Sequence, residues 1–149
     1  MSSQEDKALG KECPFCAIVR GEDPSVEIIY QGPSWIAFFP LNPATPGHTL
    51  VVPRVHVQDL WGAEPLLGAQ LMEAVIRVGR VIDEELTPDG MNLITAAGSA
   101  AEQTVFHLHL HVVPRWTRDG FGRIWPIDGK YEDADLGDVA ARLREACAD

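Results

Sequence analysis

Basic residues are scarce in this 149-residue chain, which has 12 lysines and arginines against 22 aspartates and glutamates. The formal net charge of −10 argues against a nucleic-acid partner, because nucleic-acid-binding surfaces carry clusters of basic side chains. No apolar run approaches the roughly 20 residues that span a bilayer, so we expect no membrane segment. The opening stretch MSSQEDKALG lacks the apolar core of a secretory signal. Together these absences predict a cytoplasmic protein that binds neither membranes nor nucleic acid.

Cysteine is also rare, with three copies, and two of them form the close pair Cys13-Pro-Phe-Cys16. In a chain without a secretory signal, such a pair is more often metal-binding or redox-active than a structural disulfide. A glutaredoxin-like redox motif would follow a buried strand, whereas the segment before Cys13 is polar. The remaining alternatives are a zinc site completed by two histidines and a pair of buried free thiols. Cys147, in the last predicted helix, is assigned no role in such a site.

The chain length and the absence of a linker predict a single domain over 12–149, with a flexible segment at 1–11 and a C-terminal extension from about residue 117. Apolar residues recur at helical spacing over 64–86, which predicts one long helix. Strands are predicted at 26–30, 35–39, 49–53, 91–95 and 104–113, a short helix after Cys13, and a closing helix over 134–148. This pattern predicts an α+β fold with a five-stranded antiparallel sheet.

Histidine is the third scarce residue, yet three of its five copies alternate with leucine in VFHLHLHVVPRW. Side chains alternate across a strand, so His107, His109 and His111 are expected on one face. The other face would carry Phe106, Leu108 and Leu110 under the long helix. A solvated strand face is the simplest interpretation, although three aligned imidazoles are an unusual way to make one.

The three histidines are too far apart along a strand to share one metal ion. A strand rises about 3.3 Å per residue, so the outer two would be roughly 13 Å apart at the backbone. An imidazole can instead attack phosphorus through one nitrogen while the other nitrogen is held by an acceptor. A neighbouring ring can hold or donate a proton. The array therefore suits two-step phosphoryl or nucleotidyl transfer.

Three blocks, QTVFHLHLHVVPRW, PGHTLVVPRVH and CPFCAIVRGE, closely resemble the histidine triad superfamily. The similarity is to its bacterial branch, near the nucleotide phosphoramidate hydrolases and dinucleoside polyphosphate hydrolases, and it covers about residues 12–125. The resemblance implies a five-stranded antiparallel sheet with one long helix. It also implies a homodimer with a continuous ten-stranded sheet and the long helices at the interface.

The resemblance also implies catalytic roles. His109 would be the nucleophile that attacks the α-phosphate of a nucleotide and forms a nucleotidyl-histidine. His111 would contact the phosphate and orient His109, and His48 would be hydrogen-bonded behind the triad. Gln103 and Thr104 match a polar pair that contacts the phosphate, and backbone N–H groups around GSAAEQ can form an anion-binding concavity. An ordinary flexible connection is an equal alternative for that loop.

In zinc-bearing members of the superfamily, the ligands match Cys13, Cys16, His56 and His107. The resemblance therefore implies a structural Zn²⁺ that clamps the N-terminal segment to the sheet. His107 would then bind metal while His109, the next residue on the same face, does the chemistry. This assigns separate tasks to neighbouring histidines.

The predicted ligand is a purine nucleotide or nucleotide conjugate, held by positions that match a base-sandwiching set in the family: Phe15, Ile18, Phe38 and Leu41. Each of these apolar residues alone is more typical of ordinary core than of a base contact. Pro40 departs from the family, where an acidic residue receives the ribose hydroxyls; Asn42 is the candidate substitute. Ala96 stands where relatives often have a phosphate-contacting asparagine. A nucleotide hydrolase or transferase is the leading prediction, and these two departures keep a catalytically weak nucleotide-binding scaffold as the alternative.

Overall fold

The computed structural model describes residues 13–126 and 136–148, so the predicted flexible segment at 1–11 lies outside the described residues. A short helix opens this part of the chain, one long helix lies in the middle, and a third helix closes it. The elements are α1 Pro14–Val19, β1 Ile28–Gln31, β2 Trp35–Phe38, β3 Thr49–Pro53, α2 Pro65–Leu86, β4 Gly90–Ile94, β5 Leu110–Arg115 and α3 Leu136–Ala146, with 3-10 turns at Leu60–Gly62 and Ser99–Ala101. None of the described helices combines the length and apolar character needed to cross a membrane.

The five strands form one antiparallel sheet in the order β1-β2-β3-β5-β4, which confirms the predicted α+β fold. β5 lies between β3 and β4, where His111 pairs with Leu50 on one side and Ile94 on the other. The strand that carries the last histidine is therefore held by neighbours on both sides. β1 and β4 are the edges of the sheet.

The long helix α2 has the predicted bounds. Pro65 occupies its first turn, where a missing N–H costs nothing, and Thr87 ends it in the left-handed conformation with φ 46°. One face of the helix is buried as the spacing predicts, through Leu71, Ala74, Val75, Val78 and Ile82, while Leu67 is half-buried beside them. This row packs on one face of the sheet, and Leu108 and Leu110 are buried in the same cluster.

A second apolar cluster covers the opposite face of the sheet, because successive strand residues point to opposite sides. It contains Ile36, Phe38, Leu50 and Val52 from β2 and β3, together with Cys13, Phe15 and Ile18 from the start of the chain. The short helix α1 is thus packed on the face away from α2. His107 and His109 face this second cluster, where Phe15 of α1 packs on both of their rings.

The histidine strand is shorter than predicted, because β5 begins at Leu110 and leaves His107 and His109 just before it. Its partner β3 ends at Pro53, which has no N–H for the ladder and whose carbonyl accepts from the His107 ring at 2.9 Å. The N–H of Leu108 instead donates to the Val57 carbonyl at 2.6 Å. Leu108 and Leu110 still lie on the face that packs under α2, as predicted. Phe106 is half-buried and is not part of the cluster under α2.

Candidate active site and metal centre

Two groups of titratable side chains meet at the segment that runs into β5. One group contains His109 and His111 with His48, which immediately precedes β3. The other contains four potential metal ligands: Cys13, Cys16, His56 and His107. His107 belongs to the second group but is adjacent to the first through its backbone.

His109 has a defined protonation pattern. Its Nδ1 lies 2.7 Å from the carbonyl oxygen of His107, and a carbonyl can only accept, so Nδ1 carries the proton. Burial lowers the pKa of His109, and the side chain is 8% exposed, so the ring is neutral at neutral pH. A neutral ring protonated at Nδ1 has its lone pair on Nε2. His109 is therefore set up as a nucleophile at Nε2.

His111 has the opposite pattern. The N–H of Ala44 donates to Nδ1 of His48 at 2.9 Å, which leaves the proton of His48 on Nε2. That Nε2 is 2.9 Å from Nδ1 of His111, so His111 accepts there and carries its own proton on Nε2. Burial, with the like charges of His109 and His48, lowers the pKa of His111 to about 4. His111 is thus a neutral N–H donor.

The two rings are held close to one another. The ring centroids of His109 and His111 are 4.9 Å apart, and the hydroxyl of Thr95 donates to the His109 carbonyl at 2.9 Å. Phe15 packs against the other side of the site, with its centroid 5.0 Å from that of His109 and an interplanar angle of 90°. A nucleophilic nitrogen and an N–H donor are therefore fixed side by side.

The four candidate metal ligands present one donor atom each, and these atoms all lie within 4.8 Å of one another. Nδ1 of His107 is 3.5 Å from Sγ of both Cys13 and Cys16, and Nδ1 of His56 is 3.3 Å from Sγ of Cys16. Zn–S and Zn–N bonds of about 2.3 and 2.0–2.1 Å give a sulfur–nitrogen edge of about 3.5 Å in a tetrahedron. The spacing of the cluster therefore fits a Cys₂His₂ zinc site.

The chemistry of the donors is consistent with this geometry. His107 donates from Nε2 to the Pro53 carbonyl, so its Nδ1 lone pair faces the thiols. Burial and the neighbouring Cys13 raise the pKa of Cys16 to about 11, so the Cys16 thiol would stay protonated unless a cation favoured the thiolate. A divalent ion supplies that charge. The residues present therefore fit a metal.

The predicted base-contacting residues divide into two groups. Phe15, Ile18 and Phe38 are buried in the cluster under α1. Leu41 is 79% exposed, and Asn42 is also exposed. Phe15 thus borders His109, Ile18 and Phe38 belong to the same buried cluster as Phe15, and the other two residues lie on the open loop that follows β2.

Gln103 is nearly fully buried, and its amide holds the loop together. Its Nε2 donates to the carbonyls of Gln58 and Val105, at 2.8 and 3.2 Å, and its Oε1 accepts from the Gly98 N–H at 2.8 Å. Both of its N–H groups are used, which leaves none for a phosphate. Thr104, its predicted partner, is exposed and free of such contacts among those described.

Three contributors to the site were missed by sequence reasoning: the Thr95 hydroxyl, the Pro53 carbonyl and the Ala44 N–H. The Pro53 carbonyl and the Ala44 N–H each hold a histidine ring, and the Thr95 hydroxyl holds the backbone carbonyl of His109. No sequence motif marks such contacts, because those of Thr95 and Pro53 depend on how separate segments of the chain come together, and that of Ala44 depends on the turn between Ala44 and His48.

Comparison with known proteins places this site in a family. A HIT domain matches residues 20–118. "Protein hit" of Bacillus subtilis is 34% identical over 140 residues, covering 93% of this chain and 96% of its own. Adenylylsulfatase HINT3 of Arabidopsis thaliana is 33% identical over 115 residues, covering 77% of this chain and 58% of its own.

The solved structures agree. A zinc-bound histidine triad family protein from Mycobacterium smegmatis superposes with a TM-score of 0.69 and 38% identity, covering 90% of this chain and 96% of its own. The HIT domain match spans all five strands of the sheet and the histidine segment. The chain belongs to the HIT family.

Proposed function

We propose that the chain is a nucleotide hydrolase or transferase that acts on the α-phosphate of a nucleoside phosphoramidate or dinucleoside polyphosphate. The reaction passes through a nucleotidyl group on Nε2 of His109. The observation that carries the proposal is the 2.7 Å hydrogen bond from Nδ1 of His109 to the His107 carbonyl, which leaves Nε2 as the nucleophilic atom. HIT family membership supports nucleotide chemistry of this class.

With a phosphoramidate, the Nε2 lone pair of His109 attacks the α-phosphorus and an N–P bond forms. The P–N bond to the amine breaks, and the amine keeps the electron pair and takes a proton from water. A water oxygen then attacks phosphorus, the histidine N–P bond breaks, and its electron pair returns to Nε2. One proton of that water is released, so one water is consumed and the products are a nucleoside monophosphate and an amine.

The neighbouring groups assist without changing covalently. Nε2–H of His111 donates to a phosphate oxygen, and His48 holds the His111 ring in the tautomer that can do so. The bond from Nδ1 of His109 to the His107 carbonyl stabilises the positive charge that the ring gains on attack. Gln103 holds the loop beside the phosphate, and Thr104 offers an exposed hydroxyl.

For the remaining pocket residues, we assign a purine base to the wall formed by Phe15, Ile18 and Phe38, with Leu41 closing over it. Phe15 packs on the His109 ring, Ile18 and Phe38 belong to the same buried cluster as Phe15, and the exposure of Leu41 leaves it available to a ligand. Asn42 is the ribose-facing candidate.

We assign a structural Zn²⁺ to Cys13, Cys16, His56 and His107. The donor spacing and the Cys₂His₂ composition support the assignment, as does the zinc-bound relative. When bound, the ion keeps both thiols ionised and ties the start of α1 to the segment before β5. His107 then holds the carbonyl that orients His109.

We further propose that the protein works in the cytoplasm as a homodimer, with residues 12–149 as one domain extended beyond about residue 117. α2 exposes four apolar side chains outside its buried face: Leu66, Met72, Ile76 and Val81. Leu93, on the edge strand β4, is 46% exposed. An apolar helix face next to an open sheet edge fits pairing with a second copy. Sedimentation equilibrium should give twice the chain mass.

The covalent intermediate is tested by mass. The protein is mixed with adenosine phosphoramidate, quenched in base, and its intact mass is measured. Wild type and the remote control Cys147→Ser should gain one adenylyl group and release AMP, whereas His109→Ala should do neither. Binding of the nucleotide with neither adduct nor product would support the scaffold alternative, which Pro40 and Ala96 favour.

A further inference from the structure

The ring of Phe15 lies between the two groups of titratable residues. Phe15 stands in sequence between the two cysteines, and its side chain is only 8% exposed. Its centroid lies 5.0 Å from that of His109, at 90°, and 6.0 Å from that of His107, at 69°. Phe38 packs on it with the centroids 5.5 Å apart at 75°. Phe15 therefore contacts both the proposed nucleophile and a candidate metal ligand.

The perpendicular ring supplies a restraint that the hydrogen bond of His109 lacks. The hydrogen bond to the His107 carbonyl restrains one distance, at Nδ1, and leaves open coupled rotation about the Cα–Cβ and Cβ–Cγ bonds that keeps this distance. The rotamer preference of the ring about Cβ–Cγ is itself broad. An aromatic ring packed at 90° and 5.0 Å opposes that rotation. The direction of the Nε2 lone pair therefore depends on Phe15.

The position of Phe15 depends in turn on the cysteines beside it. Sγ of Cys13 accepts from the N–H of Cys16 and caps α1, so the two thiols and the helix start form one unit. Both thiols lie against Nδ1 of His107. A metal held there would fix the helix turn that carries Phe15.

We propose that Phe15 is a positioning residue for His109, which aims the lone pair of Nε2 in the protein without substrate, and that the Cys₂His₂ cluster holds Phe15 in place. This role is separate from a base contact, which exists only with substrate bound. The inference rests on the proposed function, since it assigns His109 as the nucleophile.

The test compares Phe15→Leu with the matched control Ile36→Val. Both alter a side chain of the same buried cluster, but only Phe15 has a described contact with the ring of His109. The ring protons and nitrogens of His109 are observed by NMR without substrate. Phe15→Leu should shift and broaden these signals and lower kcat about tenfold, since small misplacements of reacting atoms are costly. Ile36→Val should leave both unchanged, and Phe15→Tyr, which keeps the ring, should restore them.

A base contact alone predicts a different result. Phe15→Leu would then raise KM, leave kcat unchanged and leave the His109 signals of the substrate-free protein as in wild type, which would overturn the proposal. Should Phe15→Leu fail to fold, wild type still decides: nuclear Overhauser contacts between the Phe15 and His109 rings should be present, and their absence overturns it. Chelation that removes zinc should weaken these contacts. A wild type without adduct would overturn the proposed function, while the NMR comparison would still decide whether Phe15 orders the ring.

Discussion

Nδ1 of His109 lies 2.7 Å from the carbonyl oxygen of His107, so one residue serves both groups of side chains. The ring of His107 faces the two thiols, while its backbone carbonyl fixes the protonation of the next histidine. The two neighbouring histidines thus differ in which ring nitrogen is protonated, because the Pro53 carbonyl holds Nε2 of His107 and the His107 carbonyl holds Nδ1 of His109. The burial of both rings keeps water from competing for these bonds.

The first prediction concerns the two tautomers. At neutral pH, ¹⁵N NMR should show His109 protonated at Nδ1 and His111 protonated at Nε2, since their acceptor and donor partners are fixed. The two residues serve as controls for each other in one spectrum. His109 protonated at Nε2 would remove the lone pair that the proposed attack requires.

The second prediction concerns metal binding. The purified chain should hold one zinc per chain, and Cys13→Ser should bind it at least about 100-fold more weakly, because the loss of a ligand costs more than the loss of a supporting hydrogen bond. Cys147→Ser, which alters an exposed cysteine just after α3, is the matched control and should retain the metal. Elemental analysis and competition with a chelator measure both. Equal zinc content in the two variants would contradict the assigned ligands.

The elements that depend on local pattern were predictable from the sequence. The helical spacing of Leu71, Ala74, Val78 and Ile82 predicted the buried face of α2. Apolar residues at this spacing share one side of a helix, and that side packs on the core. The four potential metal ligands came from the resemblance to zinc-bearing relatives, and the structure brings them together.

Features that depend on tertiary pairing were not predictable. The alternation of histidine and leucine predicts a strand through His107 and His109, but β5 starts at Leu110 because its partner strand ends at a proline. Gln103 was expected at the phosphate, yet its amide is used by three backbone groups brought to it by folding. The residues next to Gln103 in the sequence do not indicate those partners.

The third prediction is a loss of stability in acid. Burial lowers the pKa of His111 from 6.5 to about 4, so between these values the unfolded chain binds a proton that the folded chain does not. This contribution to the free energy of unfolding is complete above pH 6.5 and is lost as pH falls towards 4. Burial also lowers the pKa of His48, which affects stability in acid in the same direction. Urea unfolding across this range should show stability falling with pH.

The matched variant for this prediction is His111→Asn, whose Oδ1 can accept the His48 N–H in place of Nδ1 but does not titrate. Its unfolding free energy should fall less steeply than that of wild type over the same pH range. Parallel curves would show that His111 does not contribute to the acid sensitivity.

The fourth prediction concerns the loop clamp made by Gln103. Gln103→Glu keeps the shape of the side chain but replaces both N–H donors with an acceptor that faces the carbonyls of Gln58 and Val105. The carbonyls of these two part-buried hydrogen bonds lose their donor, and a carboxylate takes its place at a position that is 3% exposed. The free energy of unfolding should fall by about 3 kcal/mol, as expected for unsatisfied buried groups with a charge among them. Thr104→Val, at the exposed neighbouring position, should change it by less than about 0.5 kcal/mol. Urea denaturation measures both, and equal small losses would mean that the loop is held by other contacts.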